Sequence, residues 1–503
     1  MSANTTGSYN TAVGRQALED NTSGGSNTAI GRQALYNNTT GGANVAIGDG
    51  TMSTGHTTGS SNVGVGYRAM YSSTSSSDNV AIGYEALYSD QTGAGNVALG
   101  RGSLRSNTAG SNIAVGKNSL YANTSGTRNI AVGYGALDAP DTENDNIAIG
   151  YDALGGSIAG GEFNLAIGNY VLDANTSGDY NTAIGNQAMG ANTTGGSNLA
   201  IGHVALASNT TGSVNVGVGQ STLNGNTTGT RNTALGYGAL DYPDTENDNL
   251  AIGYDALGGS IAGGEFNVAI GNYSMDALTS GDNNTAVGYN TLTANTSGGY
   301  NTAVGQEALK SNTTGDTNEA FGRQALTANT TGSYNSAMGS GSMVANTEGL
   351  KNVGIGAEAM DANTTGDENI GLGYRAGNLI TTGDKNVIIG SQADPSANSA
   401  QNQIVIGYTA TGQGDNYAVI GNADITRLYA AQDGAGVLYA NGTIQSSDRR
   451  IKKEINDLAY GLSFIKRLRP VSYYKLNPQD YPQELKDKFY PNGNVRQVAS
   501  EDY

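Results

Sequence analysis

The sequence predicts an all-β protein, a repetitive β-solenoid or β-roll of about 25 coils. One unit of 17 residues repeats through most of the 503-residue chain. Each unit contains a short alternation of apolar and small residues, and Gly- and Asn-rich turns separate the units. A period of this length is too short for a propeller blade or a helix-pair repeat. It is typical of one lap of a coil, with two short strands and two corners.

The repeat is clear when neighbouring segments are compared, such as YNTAVGRQALEDNTSGG (9–25) and SNTAIGRQALYNNTTGG (26–42). Its anchor, Asn-x-Ala/Gly-apolar-Gly, begins at 23 asparagines from Asn10 to Asn386. Two degenerate copies follow, QIVIG (403–407) and YAVIG (417–421). A larger block is duplicated, because residues 127–229 recur at 230–332. The repeat therefore predicts a solenoid shaft over residues 1–422.

Positions within the repeat are counted from the anchor asparagine. Position 3 is always apolar, as in Val13, Ile30 and Ile47, and position 8 is Leu or Met in the first 21 copies. Position 2 is Ala or Gly in every copy but one, which has Ile388. Because a strand alternates its faces, positions 2 and 3 point in opposite directions. We predict that position 3 forms a buried, in-register column, and that the small position 2 faces a second chain in a homotrimer.

The composition excludes several classes of function. The chain has 76 Gly, no Cys and 14% charged residues, a profile unlike that of a typical enzyme. Its net charge of −18 disfavours nucleic acid and anionic membranes as partners. With no cysteine and two histidines, we expect no disulfide, no metal centre and no cofactor. Neither a membrane-spanning segment nor a secretory signal is predicted.

The repeat motifs NTAIG and NVAIG, with their Gly-rich corners, resemble the head repeats of bacterial trimeric autotransporter adhesins. They are still more similar to shaft repeats of tailed-phage fibres. The resemblance covers roughly residues 8–422. It implies left-handed β-rolls that assemble in threes, and it says little about the ligand.

The C-terminal stretch SSDRRIKKEINDLAYGLSFIKRLRPVSYYKL (446–476) is of a different kind. It resembles the start of the endosialidase-type intramolecular chaperone domain, through Ser447-Asp448, Arg450, Gly461-Leu462 and Leu468-Arg469-Pro470-Val471-Ser472-Tyr473. The resemblance implies a small α+β segment that trimerises, assists folding of the preceding fibre and then cuts itself off. It makes Ser447 the nucleophile and Lys452 the base. We expect a transition or neck β-segment over 423–446 and part of the chaperone domain over 447–503. The alternative is that Ser447 only caps a helix over 448–468.

Together these resemblances imply a structural and adhesive fibre of a tailed phage, with a mature part of residues 1 to about 446. Its expected partners are two further copies of itself, other tail proteins, and a host-surface glycan or protein receptor, with no nucleic acid and no membrane insertion. The expected location is the extracellular tail fibre of the virion. Two alternatives remain open, a trimeric adhesin on a bacterial surface and a polysaccharide-degrading tail spike.

Candidate ligand contacts lie at position 5, immediately after the repeat glycine. Tyrosine occupies this position in eight copies, and six of these are candidate glycan-binding residues: Tyr67, Tyr84, Tyr134, Tyr151, Tyr237 and Tyr254. Sugar rings pack on aromatic side chains. The alternative is a self-stacking ladder that stabilises the edge of the coil.

Two acidic turns and one basic cluster are the remaining candidates. The turns DAPDTENDN (138–146) and DYPDTENDN (241–249) offer carboxylates for glycoside hydrolysis or Ca²⁺ binding, or are simply turns. The basic residues between 449 and 469 favour a solvated or trimer-facing surface over a nucleic-acid site.

Overall fold

The protein was analysed as a computed structural model, which describes residues 2–55, 58–156, 160–428 and 482–489. Within these ranges the chain is a parallel β-solenoid of about 24 coils with a period of about 17 residues, so the predicted all-β fold is confirmed. Twenty-five short strands form one sheet, and two more form a separate pair. The strands of the long sheet are β1 (Thr11–Val13), β2 (Thr28–Ile30), β3 (Val45–Ile47), β4 (Val63–Val65), β5 (Val80–Ile82), β6 (Val97–Leu99), β7 (Ile113–Val115), β8 (Ile130–Val132), β9 (Ile147–Ile149), β10 (Leu165–Ile167), β11 (Thr182–Ile184), β12 (Leu199–Ile201), β13 (Val216–Val218), β14 (Thr233–Leu235), β16 (Leu250–Ile252), β18 (Val268–Ile270), β19 (Thr285–Val287), β20 (Thr302–Val304), β21 (Glu319–Phe321), β22 (Ser336–Met338), β23 (Val353–Ile355), β24 (Ile370–Leu372), β25 (Val387–Ile389), β26 (Ile404–Ile406) and β27 (Ala418–Ile420).

Each strand pairs in parallel with the strand one coil away, at the same repeat position. Val13 lies opposite Ile30, and Ile30 lies opposite Ile47. The predicted register is therefore confirmed, and one repeat is one coil. The duplicated block keeps this register at its start, where Val218 in β13 lies opposite Leu235 in β14.

The predicted direction of the strand faces is wrong. The position 3 side chains point outward, with Val13 57%, Ile30 39% and Ile47 37% exposed. The position 2 alanines, such as Ala29 and Ala46, are fully buried. Alternation along a strand shows that two faces differ in character, but it does not show which of them is internal.

The interior is narrow, and this decides which face is buried. The Leu or Met side chain at position 8 extends across the interior of the coil. Only a small side chain fits opposite it, at position 2. In the fourth coil, a Cβ added to Gly64 at position 2 would lie 2.9 Å from Cε of Met52. Among the copies with the asparagine anchor, the single large residue at position 2, Ile388, follows the coil in which position 8 is Gly377 instead of Leu. A Cβ at Gly377 would lie 3.6 Å from Ile388 Cγ1, so the isoleucine occupies space that leucine fills elsewhere. The core is thus a column of alanine packed against a column of leucine and methionine.

The other side of the coil is not the second strand that the repeat length predicts. Within the described ranges, one pair of coils forms such a strand pair, β15 (Tyr242–Pro243) with β17 (Ser260–Ile261). In the remaining described coils this side is a turn segment that hydrogen-bonds to the next coil; for example, the Leu18 N–H donates to the Ala34 carbonyl at 3.0 Å.

Backbone conformation explains why position 8 is Leu or Met while position 3 is usually Ile or Val. All 21 Leu and Met residues at position 8 have positive φ, with Leu18 and Leu35 both at 50°. A β-branched side chain is a steric outlier in this left-handed region, whereas it is favoured in an extended strand. The residue choice at each position therefore follows the backbone as well as hydrophobicity.

Buried asparagines connect the coils at two places. The Asn27 N–H donates to Asn10 Oδ1 at 2.9 Å, and Asn27 Nδ2 donates to the Gly41 carbonyl at 2.9 Å. In a second column, Asn38 Nδ2 donates to Asn21 Oδ1 at 2.8 Å. Each amide satisfies backbone groups at a corner that would otherwise be buried without partners. The Asn-rich turns are thus structural parts of every coil.

One helix, α1 (Gln483–Phe489), is described in the C-terminal region. Gln483 Nε2 donates to Asp487 Oδ1 at 2.7 Å within it. The predicted neck (423–446) is described only as far as residue 428, and the rest of the predicted chaperone segment lies outside the described ranges. Among the helical residues that the structure describes, none form a helix with the length and apolar character needed to cross a membrane.

Candidate functional site

An apolar surface follows the long sheet on its outer side. We call the outward residues at positions 1 and 3 of its 25 strands the aliphatic stripe. Position 3 is apolar in every strand, and Glu319 is the one charged residue in the whole stripe. Ile82 is 43% exposed and Leu235 is 47% exposed. Exposed apolar areas of this extent are typical of surfaces that contact another molecule.

The tyrosines predicted as ligand contacts lie at position 5, in what we call the tyrosine column, as three pairs that each occupy two consecutive coils. Their rings stack in pairs: Tyr67 on Tyr84, Tyr134 on Tyr151, and Tyr237 on Tyr254, with ring centroids 5.2 Å apart in each pair. The interplanar angles are 20°, 6° and 9°.

Stacking limits how these rings can contact a ligand. The inner faces of each pair cover one another, while Tyr84 and Tyr134 remain 46% and 44% exposed. The stacked inner faces are therefore not available to a sugar ring. Sugar contact along this column, which stays a prediction, would use hydrogen bonds to the hydroxyls more than stacking on the inner faces.

Cations interrupt the tyrosine column between its first two pairs. Arg101 and Lys117 occupy position 5 on the two coils between Tyr84 and Tyr134. Arg101 Cζ lies 5.3 Å from the ring centroid of Tyr84, and Lys117 Nζ lies 5.1 Å from that of Tyr134. At these distances each cation is attracted by the adjacent ring. In an acidic chain, this places two positive charges on neighbouring coils.

The acidic turn at 138–146 is organised around one buried carboxylate. Glu143 is 3% exposed, and its Oε2 accepts hydrogen bonds from the N–H groups of Asp141 at 2.9 Å and Thr142 at 3.0 Å. Its Oε1 accepts from the Gly160 N–H at 2.9 Å. Glu143 therefore serves as an acceptor that closes the turn onto the next coil.

Asp145, the last carboxylate of that turn, forms an ion pair. Arg128 donates to it through Nε and Nη2, at 2.6 Å to Oδ1 and 2.6 Å to Oδ2, and this pairing lowers the pKa of Asp145. The second turn repeats the arrangement with Arg231 and Asp248. In the described ranges no group of three or more metal-ligating side chains is placed to hold an ion. In the turn at 138–146, Glu143 and Asp145 thus form structural contacts.

A separate group of aspartates lies on consecutive coils beside the tyrosine column. Burial, and to a smaller extent the charge of Asp152, raises the pKa of Asp138 to about 6. In the duplicated block, burial likewise raises the pKa of Asp241 to about 6. Sequence reasoning did not single out this group, because its members are separated along the chain by a full coil.

The predicted self-cleavage residues, Ser447 and Lys452, lie outside the described residues, so their geometry is not tested. The comparison with protein families bears directly on this region. Residues 447–489 match the Peptidase S74 family, chaperone of endosialidase.

The matched 43 residues contain Ser447, Lys452 and α1, and they support the predicted chaperone segment. A chaperone of this kind after a β-solenoid suggests a tail-spike-like fibre. A comparison with curated proteins found no match for the chain.

Two surfaces were missed by sequence reasoning. The sequence pattern predicted that position 3 of the aliphatic stripe is buried, and it did not single out Arg101 and Lys117 at position 5. Writing the repeats one above another gives a signal for the second surface, since cations occupy this position on two successive coils only there and at Arg15 and Arg32.

Proposed function

We propose that the chain is the subunit of a homotrimeric adhesive fibre of a tailed phage, which contacts the host surface and is folded by a C-terminal segment that then cleaves itself off. The observation that carries this proposal is the aliphatic stripe on a solenoid that precedes a chaperone-type segment.

A second and third copy of this chain are the best occupants of the stripe. The stripe repeats once per coil, about every 4.8 Å. A partner that covers it continuously needs the same repeat, and an identical chain supplies it. Closed symmetric assemblies are the usual form of homo-oligomers. This role belongs to the outward position 3, not to the position 2 alanines that the sequence pattern suggested.

A pair of charged substitutions in the stripe tests the assembly. Ile149→Asp together with Ile252→Asp places one carboxylate in each duplicated block. The matched control is Thr211→Asp with Thr314→Asp, at exposed turn positions that are also 103 residues apart. Analytical ultracentrifugation should give the wild type and the control three times the 51.2 kDa mass of one chain, reduced by any segment released. The stripe variant should sediment as a monomer.

The proposed assembly fails if the wild type is monomeric, or if the stripe variant is as trimeric as the control. The expected loss in assembly free energy is large, because a carboxylate forced into an apolar interface costs several kcal/mol unless it finds a partner.

Self-cleavage is tested separately, on the full chain carrying Ser447→Ala or Lys452→Ala, with Ser446→Ala as the neighbouring control. A serine hydroxyl needs a base, and a lysine whose pKa is lowered by burial can act as one. We expect the wild type and Ser446→Ala to lose a C-terminal piece and the other two variants to stay intact, as seen by mass spectrometry. Equal, uncut chains in all four proteins would remove self-processing and leave the fibre proposal in place.

A further inference from the structure

The described surface contains one site where unpaired positive charge, tyrosine and an open cavity coincide. We call it the cationic site: Arg101, Arg105 and Lys117, with Tyr84, Asn118 and Tyr121. It lies between the first two stacked pairs of the tyrosine column. Its cavity has a volume of about 300 Å³ and is lined by all six of these residues together with Glu85 and Gly102.

Of the three cations at this site, one is neutralised by a carboxylate among the described residues. Arg105 is neutralised by Glu85, with Nε 2.9 Å from Oε2. Within the described ranges, neither Arg101 nor Lys117 forms an ion pair. They occupy the same position on adjacent coils, about 4.8 Å apart along the stack, where like charges repel. An anion placed between them would remove this repulsion.

The cavity exists because one side chain is missing. Position 6 carries Glu85 on the preceding coil and Asn118 on the following one, but Gly102 between them. A Cβ at Gly102 would lie 3.0 Å from Asn118 Oδ1 and 3.3 Å from Tyr121 Cδ2, so even a small side chain would enter the space. The gap leaves Asn118 and two tyrosines, Tyr84 and Tyr121, facing a common opening beside the cations.

We propose that the cationic site binds a carboxylate-bearing sugar of an acidic polysaccharide. Arg101 and Lys117 would hold the carboxylate through charge-assisted hydrogen bonds, which are stronger than neutral ones. Asn118, the tyrosine hydroxyls and the Glu85 carboxylate supply the mixed donors and acceptors that sugar hydroxyls need. The volume is at the lower end of the range for small-ligand pockets, which suits one charged sugar ring and its neighbour.

Two considerations favour an acidic sugar over a nucleic acid. Nucleic-acid binding gains its affinity from many cations along a phosphate backbone, whereas this site offers two uncompensated charges. The net charge of −18 would repel a long phosphate chain from the flanking surface. The proposal rests on the adhesive function proposed above and adds the ligand class and the binding residues to it.

The test measures binding of the full-length chain to three immobilised acidic polysaccharides: polygalacturonate, alginate and hyaluronate. Each is paired with its carboxyl-reduced form, which keeps the sugar backbone and removes the charge. We expect the wild type to bind at least one acidic polymer at 150 mM salt and to lose at least tenfold in affinity for its reduced form. Hydrogen bonds to charged groups contribute enough for a change of this size.

Arg101→Gln and Lys117→Gln should each weaken that binding about tenfold, because each removes a charge while keeping a polar side chain. Gly102→Asn should weaken it similarly by filling the cavity, and asparagine tolerates positive φ. The controls are Arg323→Gln and Gly341→Asn, which occupy the same two repeat positions elsewhere. At Gly341 an added Cβ would lie 3.7 Å from its nearest neighbour, Glu358 Cγ.

The proposal is overturned if the wild type binds none of the acidic polymers, or if the three site variants bind as the two controls do. Equal binding to acidic and reduced polymers would also overturn it, while leaving the adhesive function intact. Displacement of the bound polymer by single-stranded DNA at equal charge concentration would favour nucleic acid and count against a sugar site. The melting temperature of each variant shows that the fold is retained.

Discussion

Replacing Leu206 by isoleucine tests whether position 8 requires a left-handed backbone. Leu206 is fully buried, has φ of 52°, and its N–H donates to the Thr222 carbonyl at 2.9 Å. Leucine and isoleucine have nearly the same volume, so the change leaves no large cavity. It does place a β-branched side chain where such side chains are rarely found. We expect a loss of about 1–3 kcal/mol in the stability of that coil.

Hydrogen exchange is the suitable assay, because a solenoid opens locally and each coil contacts mainly its neighbours. The expected loss corresponds to a fall of roughly 5- to 150-fold in the protection of amides near residue 206. The control is Leu199→Ile in β12, on the extended side of the same coil, where branching is favoured and protection should be unchanged. Equal protection in the Leu206 variant and the wild type, or an equal fall in both variants, would refute this account of position 8.

Three further changes test other parts of the coil. Burial raises the pKa of Asp90 from 3.8 to about 7, so its contribution to stability declines as the pH rises through that interval. Asp90→Asn should abolish this decline in unfolding midpoints measured from pH 4 to 8, and an unchanged pH slope would contradict it. Gly288→Ala should lower the free energy of unfolding in a urea titration by more than about 1 kcal/mol, because φ at Gly288 is 142° and the new Cβ would lie 2.7 Å from the Gly305 carbonyl oxygen. The control, Gly190→Ala, should leave the free energy of unfolding unchanged in the same titration. Glu143→Gln should reduce the stability of its turn by about 1.5–3 kcal/mol, since one amide oxygen replaces a carboxylate that accepts hydrogen bonds from three N–H groups. Unchanged hydrogen exchange at residues 141 and 142 would argue against this.

The sequence predicts much of the fold, because a periodic chain repeats its own register. Once Val13, Ile30 and Ile47 are seen to recur at one position, stacking them is the direct way to satisfy all coils together. The direction of the faces could not be obtained in this way. It depends on the width of the coil interior, which is set by how far Leu18 and its equivalents reach across to the position 2 alanines.

The candidate sites were less predictable, because their geometry depends on contacts between neighbouring coils. The six candidate tyrosines were identified from their position, but whether their ring faces are free depends on the distance between coils. Glu143 was predicted as one of several equivalent turn carboxylates. Its third N–H donor comes from the next coil, at Gly160, which the turn sequence does not contain.

The most direct test of the account is a spin-label distance along the stack. The sequence has no cysteine, so cysteines introduced at Asn186 and Asn272, or at Asn186 and Tyr289, would be the only labelled sites. These positions are five and six coils apart, and stacking predicts separations of about 24 Å and about 29 Å, with one step of about 4.8 Å between them. Labelled chains diluted with unlabelled ones restrict the measurement to a single chain. Two distances in these ranges would support one coil for each repeat, and separations that do not increase by one strand spacing per repeat would contradict it.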